Sequence, residues 1–154
     1  QEPTDPKAET NFREVRQALN HFRGFYDLIT DVPTPNDLYQ GDVLVLPRRY
    51  GGLCLPMQES LAAGIPVIMT DINPNYQRLP KEWLVPATYQ NNFFFHAPVD
   101  VYDINPSDLT LVMQRFADDN FMGNASRQAD YIADQLSWET LKPYYLETLE
   151  RCLA

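Results

Sequence analysis

The chain has 154 residues, 44% of them hydrophobic and 21% charged, with a formal net charge of -9. That length suits a domain with a sizeable core, and the composition excludes general disorder. The acidic balance argues against direct nucleic-acid binding by this domain, because neutralising a phosphate backbone takes clustered Lys and Arg.

Residues 1–10, QEPTDPKAET, are polar and proline-containing, and read as a linker or a cut end. The remainder, 11–154, reads as one Rossmann-like domain. Asn11 and Glu14 make a capping-box pattern for a helix with Phe12, Val15, Leu19 and Phe22 on one face, stopped at Gly24. Residues 26–32 predict a short strand, followed by a Pro-rich turn and a brief helix at 36–39. Residues 43–46 form a continuous apolar run bounded by Gly41 and Pro47, the pattern of a parallel strand buried on both faces. A glycine-containing loop leads to a short helix over 57–63, starting near Pro56 and closed by Gly64 as a left-handed cap. Residues 66–70 predict the next buried strand, with further strands near 83–86 and 99–102. Segment 88–95, TYQNNFFF, reads either as a strand or as a loop that packs three phenylalanines.

After Pro106 the spacing turns helical. Leu109, Val112, Met113 and Phe116 predict one helix, and Ala125, Ala129, Ile132, Ala133 and Leu136 another. A final helix carries Leu141, Tyr145, Leu149 and Leu153. It is expected to start near Thr140, because Pro143 must lie in its first turn or kink it. The alternation of strand, helix and strand implies right-handed parallel crossovers. The fold expected is α/β, a Rossmann-like parallel sheet flanked by helices with a helical C-terminal end.

No apolar run approaches the length of a membrane span and no signal-peptide pattern is present, so a cytoplasmic domain without a membrane span is expected. Cys54 and Cys152 are too few for a disulfide framework, and free thiols are expected. A catalytic Cys54 would need a histidine base, for which only His21 and His96 exist. His96, between Phe95 and Ala97, reads as a packing or hydrogen-bonded residue.

In open parallel sheets ligands sit beyond the carboxyl ends of the strands, where loops lead into helices. Segment 47–56 occupies that position. Gly51 and Gly52 allow a backbone to approach a ligand closely. The N–H groups of Leu53, Cys54 and Leu55 lead into a helix N-terminus, a seat for a pyrophosphate. Arg48 and Arg49 would add charge-assisted hydrogen bonds; without such cations a chain of this net charge repels a diphosphate. Glu59, expected in the first helical turn, suits the hydroxyls of a bound nucleotide. Each feature also has a plain alternative. The glycines suit a tight turn, the arginines a solvated surface, and Glu59 the helix dipole.

Taken in order, the run GDVLVLPRRYGGLCLPMQESLAAGIPVIMTD resembles the donor-binding motif of retaining GT-B-fold glycosyltransferases of the large family 4 group. Asp42, Pro47, Gly52, Leu55, Pro56, Glu59, Ala63, Gly64, Pro66, Val67 and Ile68 stand where that family has its usual residues. The SWETL run near Ser137 is similar to the family's segment at the start of the closing helix. The resemblance covers about residues 27–149 and implies one half of a GT-B fold. It implies that Glu59 matches the second glutamate of a paired-glutamate motif and meets the ribose hydroxyls. It implies that the backbone from Gly52 to Leu55 contacts the sugar and diphosphate of an NDP-sugar, transferred with retention and without a metal. No cofactor is implied beyond that donor, no catalytic residue is identified, and the acceptor would sit on a separate N-terminal half. Two positions depart from the pattern. Gly51 stands where the family has its first glutamate, and Cys54 where it has its second loop glycine. The family's diphosphate-neutralising cations come from an upstream unit, for which Lys7 and Arg13 are the candidates. Gly51 and the absent acceptor half favour an alternative over a standalone enzyme, a catalytically silent nucleotide-sugar-binding or interaction module.

Overall fold

A short parallel sheet orders the fold. The computed structural model describes residues 13–17, 34 and 39–153, with Phe95 described by its backbone only. The chain divides into two compact units, Gln1–Gln40 and Gly41–Ala154. In the first, residues 13–17 are helical, within the helix expected around Val15. The rest of that helix, the strand at 26–32, most of the helix at 36–39, and Lys7 and His21 lie outside the described residues.

In the second unit, strands β1 (Leu44–Leu46), β2 (Val67–Thr70) and β3 (Leu84–Val85) run parallel in the order β1-β2-β3. Leu44 pairs with Val67, and Met69 pairs with Leu84. Helix α1 (Leu55–Ala62) joins β1 to β2. The four-residue α2 (Asn75–Arg78) and a 3-10 turn at Lys81–Trp83 join β2 to β3. All four residues of β2 are buried, as its unbroken apolar run requires of a central parallel strand. β1 differs from expectation: Val45 is exposed and its neighbours only half-buried, because β1 is an outer strand of the sheet formed by the described residues.

Helix α1 ends as a Schellman motif. Gly64 has φ +72°, its N–H donates to Leu61 O at 2.9 Å, and Ile65 N–H donates to Ser60 O at 2.9 Å. Ser60 Oγ donates back to Ile65 O at 3.0 Å. The left-handed cap expected at Gly64 is what turns the chain from α1 into β2.

Beyond β3 the structure departs from a purely parallel design. Segment 88–95 belongs to a strand, β4 (Ala87–Phe95), which pairs antiparallel with β5 (Ala97–Ile104) in a separate two-stranded sheet. The register shifts between Tyr89 and Asn91, a bulge. The expected strand at 99–102 is therefore part of a hairpin and not a further strand of the parallel sheet. Nor are Phe93 and Phe94 core. Phe94 is 77% exposed, Phe93 is exposed too, and His96 turns the hairpin at φ 57°.

Three helices follow. α3 (Pro106–Phe116) starts at Asn105, whose side chain accepts from Ser107 N–H, with Pro106 in the first turn. α4 (Asp119–Gln135) starts at Asp118, whose Oδ1 accepts from Phe121 N–H at 2.8 Å. Val112, Phe116, Ala125, Ala129 and Ile132 enter the core with Met57, Leu61, Val67, Ile68, Met69 and Trp83. Met113, expected on that face, is exposed. α5 spans Trp138–Leu153 and starts earlier than Thr140, with Thr140 N–H donating to Ser137 Oγ at 3.2 Å. Pro143 therefore lies inside this helix and not in its first turn. No residue of α5 is buried, and Leu149 and Leu153 are exposed. Among the described residues no helix is long and apolar enough to cross a membrane.

Candidate functional site

The loops that leave the carboxyl ends of β1 and β2 lie side by side and enclose a cleft of about 380 Å³. One wall is Gly51, Gly52, Leu53, Cys54 and Met57; the other is Asn73, Pro74, Asn75 and Arg78. Neighbouring parallel strands thus deliver two loops to one crevice beyond their carboxyl ends.

Each wall has its own cause. A Cβ built on Gly51 would stand 1.8 Å from Asn73 O, so only a glycine allows the first loop to rest on the second. Gly52 has open space around it but adopts φ +133°, a conformation that L side chains rarely take. The two adjacent glycines therefore serve different needs, one steric and one torsional. On the facing wall, Asn75 is 2% exposed and its Nδ2 donates to Thr70 O at 2.9 Å, which fixes the start of α2 to the end of β2. Gln77 Nε2 donates to Asn73 Oδ1 at 3.0 Å on the outer side of the same turn.

Helix α1 begins against the cleft. Its N-cap residue is Cys54, which makes no side-chain cap bond, where Ser, Thr, Asp or Asn would supply an oxygen. Gln58 N–H bonds Cys54 O at 3.3 Å, and Pro56 has no N–H. The first-turn donors are therefore the N–H groups of Leu55 and Met57, carried at the positive end of the helix dipole.

The expected site residues divide. Gly51, Gly52, Leu53 and Cys54 come together in the cleft, and Leu55 opens the helix beside it with an exposed side chain. Glu59 does not fall in the first turn. Because α1 starts at Leu55, Glu59 is its fifth residue, exposed on the second turn. Arg48 is half-buried just beyond β1. Arg49 is drawn to the hairpin: its Nε meets Asp103 Oδ1 at 2.8 Å, and its carbonyl accepts from Tyr102 N–H at 2.7 Å. Tyr50 adds an edge-on contact with Phe93, ring centres 5.9 Å apart. The loop is thus anchored by β4 and β5, and Arg49 is engaged before any ligand arrives.

That ion pair is exposed, 62% for Arg49 and 47% for Asp103, so its own energy is small. Asp103→Ala is expected to cost no more than about 1 kcal/mol. A urea midpoint close to the parent's, measured on the purified variant, is the check; a large fall would mean that the pair holds the hairpin in place.

Cys54 is buried and Cys152 exposed, both as free thiols. His96 stands at the hairpin turn and not among the residues that line the cleft. Arg78, Asn73 and Asn75 were missed by sequence reasoning. Their signal was the segment after Asp71, which occupies the same place relative to β2 that the glycine loop occupies relative to β1. Comparison with protein-family models, with curated proteins and with solved structures finds no match to this chain.

Proposed function

We propose that the chain is the donor-binding, Rossmann-like half of a GT-B glycosyltransferase. It would hold an NDP-sugar for retaining, metal-independent transfer to an acceptor bound on an N-terminal half. The observation that carries this reading is the cleft at the carboxyl ends of β1 and β2, walled by the glycine loop and opening onto the α1 N-terminus. N–H groups, the helix dipole and a guanidinium are the means by which such a site would stabilise a diphosphate leaving group. Glu59, one turn further along α1, is the carboxylate for the ribose hydroxyls on this reading.

A second reading has an observation of its own. Gly51 stands where the resemblance places a glutamate, and the Asn73 carbonyl fills the space a side chain would need. A site without that carboxylate lacks one contact to the donor sugar. This favours a nucleotide-sugar-binding module without transferase activity.

A thermal-shift panel of UDP, GDP, ADP and TDP, alone and as their common sugar conjugates, tests both. A ligand at about a hundred times its dissociation constant adds roughly 2.7 kcal/mol of stability. For a domain of this size that raises Tm by about 5–11 °C. The expected result is a shift with one base that is lost in Glu59→Ala. Turnover of the matching NDP-sugar by the chain together with its acceptor-binding half separates the transferase from the silent module, and no shift with any nucleotide sinks the self-sufficient binding module.

A further inference from the structure

The hairpin β4–β5 has two strand edges, and the sequence treats them differently. β5 carries Pro98, Asp100 and Asp103, and its outer edge is partly covered where Tyr102 N–H donates to Arg49 O at 2.7 Å. Proline, charge and a covering loop are the usual means by which an edge is kept from pairing. β4 has none of them. From Trp83 to Val99 the chain has no Asp, Glu, Lys or Arg, its longest uncharged stretch. β4 pairs with β5 alone among the described residues, so alternate residues along it turn N–H and C=O away from the hairpin. Its one irregularity is the bulge between Tyr89 and Asn91, beyond which residues 91–95 pair regularly with residues 97–101.

Residues 88–94 are all exposed, so both faces of this part of β4 meet water, with Tyr89, Phe93 and Phe94 among them. A two-stranded sheet open on both faces is at best marginally stable alone, and further strands are what it lacks. We propose that β4 is a pairing edge whose occupant is the β4 of a second copy of this chain, joined antiparallel about a twofold axis. The product is a four-stranded sheet in the order β5-β4-β4-β5. It closes as a dimer, because both outer edges are then the protected β5. Charge chooses the occupant. At a net charge of -9 each, two copies repel one another over most of their surface. An uncharged edge is where they meet at least cost, and it offers no carboxylate to a basic partner strand. A lipid surface is the poorer fit, since unpaired N–H and C=O groups enter hydrocarbon at high cost. The inference goes beyond the donor-site reading and is independent of it, because β4 does not line the cleft.

The experiment is sedimentation velocity of the full chain, from low micromolar to sub-millimolar protein, beside Asn92→Lys, Asn92→Glu and an equimolar mixture of the two. A reductant is present throughout, because Cys152 is an exposed thiol. Asn92 is exposed near the middle of β4, so both variants are expected to fold, which the Tm of each verifies. The parent is expected to pass from a 17.8 kDa species to one of twice that mass as concentration rises. Each variant alone sets like charges near one another across the axis, and should weaken association about fivefold or more. The mixture sets Lys near Glu and should recover most of that loss. A parent that stays monomeric throughout, or that grows past the dimer, overturns the inference. So does a dimer indifferent to both substitutions. Loss in both variants without recovery in the mixture places β4 against another surface of its copy, and overturns the self-pairing.

Discussion

Gly51→Glu is expected to lower stability by about 1–3 kcal/mol or more, and not to improve nucleotide affinity. On the resemblance alone the substitution looks like a repair, since it restores the first glutamate of the paired motif. The structure gives the opposite expectation. A Cβ at position 51 would lie 1.8 Å from the Asn73 carbonyl oxygen and 3.3 Å from the Pro74 ring. The oxygen belongs to backbone, so relief requires one of the two loops to move, and those loops are the walls of the cleft. Gly51→Ala should show most of the same loss, because the clash begins at Cβ. Gly52→Ala is the control: it meets nothing within 4 Å and suffers only from its φ of +133°, about 1–3 kcal/mol. Thermal denaturation of the three variants, with nucleotide titration of each, gives the comparison. A Gly51→Glu protein with parental Tm and tighter nucleotide binding would falsify the close approach of the two loops.

Trp83→Ala should be the more damaging change, at about 3–5 kcal/mol. Trp83 closes the 3-10 turn that feeds β3 and is 1% exposed. Its ring meets Phe116 edge-on at 6.2 Å, and Phe116 in turn meets Phe121 at 5.0 Å. One side chain therefore joins the sheet to α3 and, through Phe116, to the start of α4. Domains are stable by only about 5–15 kcal/mol, so the loss takes a large share of the total. A fall in Tm of roughly 6–20 °C is expected. Trp83→Phe, which keeps the aromatic contact and removes less volume, should lose much less. Similar midpoints for the alanine and phenylalanine variants would show that the cavity collapses and that the aromatic chain is not the link described.

The β1–α1–β2 unit was legible because its signals are local. Gly41 and Pro47 bracket β1, and Gly64 closes α1 by its left-handed φ. The helices after Pro106 were legible for the same reason, down to Ala125, Ala129 and Ile132 on the buried face. The hairpin was not. Segment 88–95 is apolar at one end and polar at the other, and only pairing with β5 decides between strand and loop. Nothing in TYQNNFFF states that Phe93 and Phe94 stay exposed, since burial depends on what lies opposite. The start of α5 was misplaced because Pro143 was given more weight than Ser137, whose hydroxyl accepts from Thr140 N–H ahead of it. Within the cleft, the glycine wall was read correctly as a loop at a strand end. The opposite wall was missed, because the segment after Asp71 comes beside the glycine loop only through the parallel register of β1 and β2. Glu59 moved out of the first turn by the same logic: one extra residue at the helix start rotates every later side chain by about 100°.

The anchoring of the glycine loop has a consequence for the order in which the molecule assembles. Arg49 and Asp103 are 54 residues apart in sequence, whereas α1 closes between strands that are near neighbours in the chain. On a chain emerging at about 5–20 residues per second, β1, α1 and β2 can meet as soon as Thr70 is free. The loop between β1 and α1 then waits several seconds more for the hairpin that holds Arg49 and Tyr50. Contacts of long sequence separation are also the slower to form in a complete chain. A cleft built from residues near the middle of the sequence thus takes its working form later than the β1–α1–β2 unit that carries it, and binding competence would trail the appearance of α1 during refolding.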